Sequence, residues 1–218
     1  MKTNVIFANK NSIVNQFLHE LRDLHIQKDR NKFRNNISRI GEIIAYEISK
    51  TLEYVPHLTT TPMGIAETSI LKEQPVIATV LRAGLPLQAG LNNCFDQADL
   101  AYISAYRHHT SPISFEIIVE YLACPDLTDR ILVLADPMLA TGQSLVLTYE
   151  QFIKQGKPKE VHLVSVIGSK EGVAYVNKHM PEAQLWIGVI DDELNEEGYI
   201  VPGLGDAGDL SFGEKKQH

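Results

Sequence analysis

Short apolar runs that alternate with amphipathic stretches constrain the fold of this sequence more than any other feature. From residue 75 onward, helical candidates near 85–95, 143–155 and 170–179 separate several of these runs. The runs themselves lie at 75–81, 99–106, 114–123, 130–135, 161–168 and 184–190. Apolar runs that alternate with helices are typical of strands covered on both faces. The pattern therefore predicts an α/β fold, with a mostly parallel sheet flanked by helices.

The first part of the chain has a different pattern, which predicts two helices. Residues 12–28 and 32–53 each place apolar side chains at helical spacing, and in the second stretch these are Phe33, Ile37, Ile40, Ile44, Ile48 and Leu52. No internal repeat, low-complexity tract or clear linker follows. We therefore expect a single domain over residues 1–218 that begins with a helical N-terminal extension.

The charge balance narrows the classes of partner. The chain has 27 acidic residues against 20 Lys and Arg, a net charge of -7. Binding to nucleic acid or to an anionic membrane needs a cationic surface, so we expect neither partner. No apolar run approaches membrane-spanning length, and the N-terminus lacks a signal-peptide core. Cys94 and Cys124 have neither zinc nor redox-motif spacing, so we expect reduced, buried thiols and a cytoplasmic protein.

The stretch VLADPMLATGQS at 133–144 combines a strand end, a loop and a helix start. Ligands of parallel sheets bind at the carboxyl ends of the strands, where Asp136 is expected to lie. The loop is predicted over 138–143, and the helix is predicted to begin near Ser144. Small residues at 140–142 let backbone N–H groups approach a ligand closely, and a helix N-terminus attracts anions. These features predict a phosphate cradle, with the acid facing hydroxyl groups of a sugar attached to that phosphate.

An ordinary helix cap explains the same stretch without a ligand. In that interpretation, Thr141 or Ser144 caps the helix through its hydroxyl group. The local physics leaves the two interpretations open. The stretch is not a Walker loop, because no Gly-Lys-Ser/Thr follows.

The stretch GLGDAG at 203–208 matches the dinucleotide motif GxGxxG, but its context excludes that function. Only ten residues follow Gly208, which leaves no room for a crossover helix and another strand. We predict a loop here, with bends at Pro202, Gly203, Gly205 and Gly208. Its backbone amides and carbonyls are suited to binding the edge of a flat heterocycle, although a plain C-terminal loop remains the alternative.

These stretches together resemble one enzyme family. VLADPMLATGQS resembles the phosphoribosyl-diphosphate loop of type I phosphoribosyltransferases. YIVPGLGDAGD at 199–209 resembles the uracil-binding segment of uracil phosphoribosyltransferases. VLRAGLP at 80–86, SAYRHH at 104–109 and TTPMG at 60–64 are also similar to that family. The resemblance runs from about residue 12 to residue 213, and the C-terminal segment is its most specific part.

The resemblance implies an activity and a set of roles. Ribose 5-phosphate would pass from 5-phosphoribosyl 1-diphosphate to N1 of uracil, giving UMP and diphosphate, with Mg²⁺ as the cofactor. The implied catalytic residues are Arg82, Arg107, Asp136 and Asp206. The implied binding set for the phosphoribosyl diphosphate is Arg82, Arg107, Asp136, Pro137, Met138, Leu139, Ala140, Thr141, Gly142, Gln143, Ser144 and Asp206. The implied uracil-binding residues, which act mainly through their backbones, are Ile200, Gly205, Asp206 and Ala207.

The resemblance also implies details of ligand and assembly. Mg²⁺ would be held mainly by the diphosphate, with Asp206 as the protein residue that faces it. A homodimer or higher homo-oligomer is implied, and GTP is a candidate effector whose site the sequence does not locate. The sequence departs from common patterns at Pro137, Gln143 and Leu210. Pro137 favours the uracil enzymes, Gln143 replaces a common Gly, and Leu210 replaces a common Arg, which puts the role of that Arg in doubt.

Other functions on the same fold remain open at this stage. A pyrimidine-responsive RNA-binding regulator would need a basic face, which the composition does not provide. A phosphoribosyltransferase for purines would lack the YIVPGLGDAGD segment. An inactive binding module would be favoured if Arg82, Arg107 or Asp136 were absent, and all three are present.

Overall fold

The computed structural model describes residues 4–111 and 114–215, and it describes only the backbone of residues 105–111 and 114–118. Two short 3-10 helices occur at Phe7–Asn9 and Ile153–Gln155. The α-helices of the described residues are α1 (Ile13–Arg22), α2 (Arg30–Ser49), α3 (Leu85–Cys94), α4 (Gln143–Phe152), α5 (Lys170–His179) and α6 (Ala207–Phe212).

The strands form one large sheet and two small ones. The strands are β1 (Val5–Ile6), β2 (Tyr54–Thr61), β3 (Gly64–Leu71), β4 (Val76–Val80), β5 (Asp99–Ser111), β6 (Ser114–Ala123), β7 (Ile131–Ala135), β8 (Met138–Leu139), β9 (Glu160–Ser169), β10 (Gln184–Asp191), β11 (Glu193–Leu194) and β12 (Ile200–Val201). The large sheet has the order β1-β10-β9-β7-β4-β5-β6, and β8 also pairs with β9. All its pairings are parallel except that of β5 with β6. The predicted mostly parallel sheet is thus confirmed.

Helices cover both faces of this sheet, which explains why its strands lack polar alternation. On one face, Ile77 and Val133 pack with the apolar sides of α1, α2 and α3. On the other face, Val76 and Leu132 pack with residues of α4 and α5. Every residue of β7 is buried, so this strand holds the loop that follows it in a fixed position.

The N-terminal extension contains the two predicted helices with different bounds. Ser12 and Asn15 form a capping box at the start of α1, and Asp29 caps α2 by accepting a hydrogen bond from the Lys32 N–H. α1 ends at Arg22, six residues earlier than predicted. The Asp23 carboxylate accepts hydrogen bonds from the N–H groups of His25 and Ile26. Such local side-chain bonds compete with continuation of a helix.

β2 and β3 form an antiparallel hairpin over residues 54–71, where the sequence pattern predicted no strands. Tyr54 pairs with Leu71 at one end and Thr61 with Gly64 at the turn. Within the described residues, neither strand pairs with any other strand. Met63 at the turn is 96% exposed. The hairpin therefore projects from the main body of the fold.

The two cysteines are free, but the prediction that both are buried is wrong. Cys94 is exposed because it is the last residue of α3, where the helix end meets solvent. Cys124 is half-buried, and this burial raises the pKa of its thiol to about 11. None of the helices in the described ranges is long and apolar enough to cross a membrane.

Candidate active site

A cleft of about 830 Å³ opens where β4 and β7 end at the carboxyl edge of the sheet. Three segments line it: the residues after β4, the loop between β7 and α4, and the C-terminal stretch that includes the start of α6. This is the edge at which parallel sheets bind their ligands. The cleft therefore brings together three stretches that the sequence analysis had selected independently.

The loop after β7 is fixed to the neighbouring strand β9. The Asp136 N–H donates to the Val164 carbonyl at 3.0 Å, and the Pro137 carbonyl accepts from Val166 and Ile167 at 3.1 and 3.0 Å. Asp136 lies after the strand, as predicted, and its Oδ1 accepts a hydrogen bond from the Met138 N–H at 3.2 Å. Residues 138–139, predicted as loop, form β8 and pair with β9, because the bonds to the Pro137 carbonyl hold the backbone beside that strand.

The N-terminus of α4 faces the cleft. Gly142 is the N-cap residue, with a φ of 75° in the left-handed region, and as a glycine it supplies no side-chain cap. The Thr141 hydroxyl lies 3.4 Å from the Gln143 N–H, which is long for a capping bond. Thr141, Gly142 and Ser144 all line the cleft. The start of α4 therefore forms part of the cleft wall.

Two residues that the sequence analysis missed hold this loop from behind. Ser169 donates its hydroxyl to the Ala140 carbonyl at 2.6 Å. A Cβ on Gly172 would lie 2.2 Å from that same carbonyl oxygen, so α5 approaches the loop as closely as a backbone can. These contacts join residues about 30 positions apart, so no local pattern reveals them.

Arg82 follows β4 and reaches across the cleft mouth to the C-terminal segment. Its Nη2 donates to Asp209 Oδ1 at 3.1 Å and to the Gly213 carbonyl at 3.2 Å. The turn beneath it is tight, because a Cβ on Gly84 would lie 1.9 Å from the Thr79 hydroxyl. Arg82 is 41% exposed, so solvent and a ligand can both reach the guanidinium.

The C-terminal segment is partly helical, so the prediction of a loop throughout is wrong. Gly203 and Gly205 have φ values of 60° and 95° and form the predicted bends. Asp206 then caps α6 by accepting a hydrogen bond from the Asp209 N–H at 2.9 Å, and Gly208 lies inside this helix. The signal for α6 was the N-cap residue Asp206 followed three residues later by a second acid.

The structure brings most of the predicted site residues to the cleft. Those that line it are Arg82, Asp136, Met138, Leu139, Ala140, Thr141, Gly142, Ser144, Asp206 and Ala207. Pro137, Gln143 and Ile200 do not line it, and Gly205 lines a neighbouring cavity of about 400 Å³. Arg107 pairs with Ile117 through the β5 and β6 backbones, but its side chain lies outside the described residues.

The cleft carries both signs of charge. Lys215, which the sequence analysis did not select, lines it together with Arg82, and five carboxylates line it as well: Glu120, Asp136, Glu197, Asp206 and Asp209. Among the described residues, no group of three or more His, Cys, Asp or Glu side chains is arranged to hold a metal ion. Leu210, where the resemblance expects Arg, packs against the apolar core.

Known proteins match this chain over a range that includes all three segments lining the cleft. The family model for uracil phosphoribosyltransferase matches residues 8–214. A uracil phosphoribosyltransferase of Porphyromonas gingivalis is 48% identical over 207 residues, which are 94% of this chain and 96% of that protein. One of Pyrococcus furiosus is 40% identical over 202 residues, covering 91% and 85%. A solved structure from Aquifex aeolicus has a TM-score of 0.85 at 26% identity and covers 98% of both chains.

Proposed function

The chain belongs to the uracil phosphoribosyltransferase family, and we propose that the cleft is its active site. The enzyme transfers ribose 5-phosphate from 5-phosphoribosyl 1-diphosphate to N1 of uracil and releases UMP and diphosphate, a reaction of pyrimidine salvage. The observation that carries the assignment of the site is the start of α4 beside Asp136 in a cleft whose other wall includes the start of α6.

The 5-phosphate is proposed to bind at the start of α4. The N-terminus of this ten-residue helix attracts anions, and Gly142 at the N-cap position lets the backbone approach a ligand without a Cβ. The proposed contacts are the backbone over residues 138–144 and the Thr141 and Ser144 hydroxyls. Asp136, at the strand end beside this cradle, would accept hydrogen bonds from the ribose hydroxyls, which are donors that a carboxylate binds well.

The diphosphate is proposed to bind between Arg82 and Arg107. A guanidinium group pairs with phosphate through two parallel hydrogen bonds, and Arg82 stands exposed at the cleft mouth. Its bonds to Asp209 and Gly213 would be exchanged for bonds to the ligand. Lys215, which also lines the cleft, is a third cation within the same region.

The reaction requires that the sugar be held in a fixed position and that the negative charge on the leaving diphosphate be neutralised. As the bond to diphosphate breaks, the ribosyl centre becomes positively charged and the leaving group carries the electron pair. No protein nucleophile is required, so the reaction does not depend on a catalytic triad. Fixed geometry at the sugar and cations around the leaving group together lower the barrier.

The donor set of the cleft fits Mg²⁺ bound through the substrate. Mg²⁺ prefers oxygen ligands and is commonly held by one or two carboxylates together with substrate phosphates. Asp206 and Asp136 are hard oxygen donors on the cleft wall, and the described residues form no closed protein cage that would exclude the diphosphate. When bound, the ion would neutralise charge on the diphosphate, and Asp206 is the residue that we propose faces it.

Uracil is proposed to bind against the backbones of Ile200, Gly205 and Ala207, beside Asp206. Backbone N–H and C=O groups present a fixed pattern of donors and acceptors. Cytosine presents a different pattern, which would leave buried polar groups unpaired. The site should therefore select uracil. The alternative function as an RNA-binding regulator is not supported, because the chain has an acidic surplus and its relatives are uracil phosphoribosyltransferases.

We also propose a cytoplasmic homo-oligomer. The exposed Cys94 thiol suits a reducing compartment. The hairpin of β2 and β3 places Tyr54, Leu58 and Ile65 on one side of its ladder, where Leu58 is 65% and Ile65 73% exposed. Exposed apolar side chains grouped in this way, with Glu67 opposite Leu58 on the same side, are typical of a protein interface. GTP is proposed as the effector whose influence on the rate of UMP formation should be tested first.

The reaction can be tested directly with purified protein. It would be mixed with 5-phosphoribosyl 1-diphosphate, Mg²⁺ and one base at a time: uracil, cytosine, hypoxanthine or adenine. We expect UMP from uracil and no nucleotide from the other bases. Product from hypoxanthine or adenine would contradict the proposed base site, and no product from any base with folded protein would contradict the proposed activity.

A further inference from the structure

The segment proposed to bind uracil is held from outside the cleft at its central residue, Gly203. The Gly203 N–H donates to Asp191 Oδ2 at 2.9 Å. The Gly203 carbonyl accepts from Arg22 Nη1 at 3.3 Å. Both backbone groups of one residue are therefore fixed by two side chains from other elements.

Arg22 and Asp191 also bind each other. Arg22 Nη1 donates to Asp191 Oδ2 at 2.9 Å, and Arg22 Nη2 donates to Asp191 Oδ1 at 2.8 Å. The Asp191 side chain is 7% exposed and the Arg22 side chain 24%. Two parallel charge-assisted bonds in a mostly buried place give this pair one orientation. The end of α1 and the end of β10 thus form a rigid support for Gly203.

Gln27 extends this support to the next residue. Its Nε2 shares two N–H groups among three carbonyl oxygens, that of Leu204 at 3.3 Å and those of Leu21 and Arg22 at 3.0 and 3.1 Å. Gln27 is buried, so these bonds do not compete with bulk water. The bend has no room for a side chain at Gly203, since a Cβ there would lie 2.0 Å from the Ile200 carbonyl oxygen.

We propose that Arg22, Asp191 and Gln27 are positioning residues that preset the backbone of residues 200–207 for the base. The inference rests on the proposed binding of uracil by this segment. None of the three lines the main cleft, and Gln27 lines the neighbouring cavity of about 400 Å³ together with Gly205 and Asp206. Arg22 and Asp191 therefore act through the loop, and Gln27 contacts the loop at the Leu204 carbonyl. A base held by backbone groups binds well only if those groups are ordered before it arrives, because ordering a glycine-rich segment on binding costs entropy.

Steady-state kinetics of the full-length protein test this role. Arg22→Lys keeps the charge but removes the fork that bridges Asp191 and Gly203, and Gln27→Met removes the amide donors without changing charge. We expect each variant to raise the KM for uracil about tenfold, the effect of losing one well-placed hydrogen bond. The KM for 5-phosphoribosyl 1-diphosphate should stay within about twofold, because the cradle at α4 is untouched.

The matched control is Arg130→Lys. Arg130 also pairs with an aspartate, Asp99, at 2.9 Å, but this pair lies at the amino ends of β5 and β7, away from the cleft. The control should leave both KM values unchanged.

Two patterns of result would overturn the inference. One is an equal rise of both KM values in Arg22→Lys and Gln27→Met, and the other is a lower melting temperature with unchanged kinetics. If Arg22→Lys does not fold, the uncharged change in Gln27→Met decides the matter. Absence of UMP from the unaltered protein would overturn the proposed function itself, so the two failures are distinguishable.

Discussion

At the scale of single residues, side chains in the cleft that are proposed to bind substrate form hydrogen bonds with other protein groups in this structure. Arg82 is bonded to Asp209 and Gly213, both in or next to α6. Asp206 accepts a hydrogen bond from the Asp209 N–H. A diphosphate that draws Arg82 away from Asp209 would therefore act on the same short helix that begins beside the proposed base site. The ion pair of Arg82 with Asp209 therefore connects the proposed diphosphate site with the proposed base site.

Asp136→Asn tests the proposed contact with the ribose. The amide oxygen can still accept the hydrogen bond from the Met138 N–H, so we expect the fold to keep its stability. The loss of a charged acceptor should lower kcat/KM for 5-phosphoribosyl 1-diphosphate about 10- to 100-fold, the range for charge-assisted hydrogen bonds. Asp96→Asn, an exposed acid beyond α3, is the control for net charge. Unchanged kinetics in Asp136→Asn would exclude a role for Asp136 in binding the sugar.

At the scale of elements, the start of α4 depends on how closely α5 approaches it. Gly142 has a φ of 75°, and a Cβ there would lie 2.7 Å from the Gly172 carbonyl oxygen. Gly142→Ala therefore combines a left-handed backbone with a steric clash against backbone. The helix start must move, and with it the N–H groups proposed to bind the 5-phosphate.

We expect Gly142→Ala to raise the KM for 5-phosphoribosyl 1-diphosphate at least tenfold and to lower the free energy of unfolding. The backbone penalty alone is about 1 kcal/mol, and the clash adds to it. Gly64→Ala is the matched control, because Gly64 also has a positive φ, 146°, but nothing lies within 4 Å of its added Cβ. Kinetics and urea unfolding measure the two effects. Equal effects of both substitutions would show that the contact with α5 is unimportant.

The packing of α1 on α2 should weaken in acid through Glu20. The Asn36 amide donates to Glu20 Oε2 at 2.8 Å, and this bond, followed by that from Gln16, lowers the pKa of Glu20 below its ordinary value of 4.5. A lowered folded-state pKa gives stability that is present above pH 4.5 and is lost as the pH falls through the folded pKa. In Glu20→Gln, the free energy of unfolding should therefore fall less steeply as the pH decreases, which urea unfolding between about pH 3 and pH 6 measures. An unchanged slope would contradict this assignment.

At the scale of the whole molecule, the buried parts were predictable and the exposed or long-range parts were not. The strands β4, β7, β9 and β10 were predictable as apolar runs, because burial on both faces leaves a local signature, whereas residues 138–139 after β7 were predicted as loop and form β8. No residue of the hairpin strands at 54–71 is buried, so they have no such signature. The pair of Arg22 with Asp191 joins residues 169 positions apart, and only the folded chain brings them together.

The assembly should depend on the projecting hairpin. Tyr54, Leu58 and Ile65 lie on the same side of the β2 and β3 ladder, and an isolated two-stranded hairpin is only marginally stable in water. Burying this side against a second copy would both stabilise the hairpin and remove an apolar surface from solvent. Ile65→Glu should therefore convert the proposed oligomer to monomers, because the interface would have to bury a second carboxylate beside that of Glu67. Thr68→Glu, an exposed position on the opposite side of the same strand, should leave assembly unchanged. Sedimentation velocity separates these outcomes, and an oligomer that persists in Ile65→Glu would assign the interface to another surface.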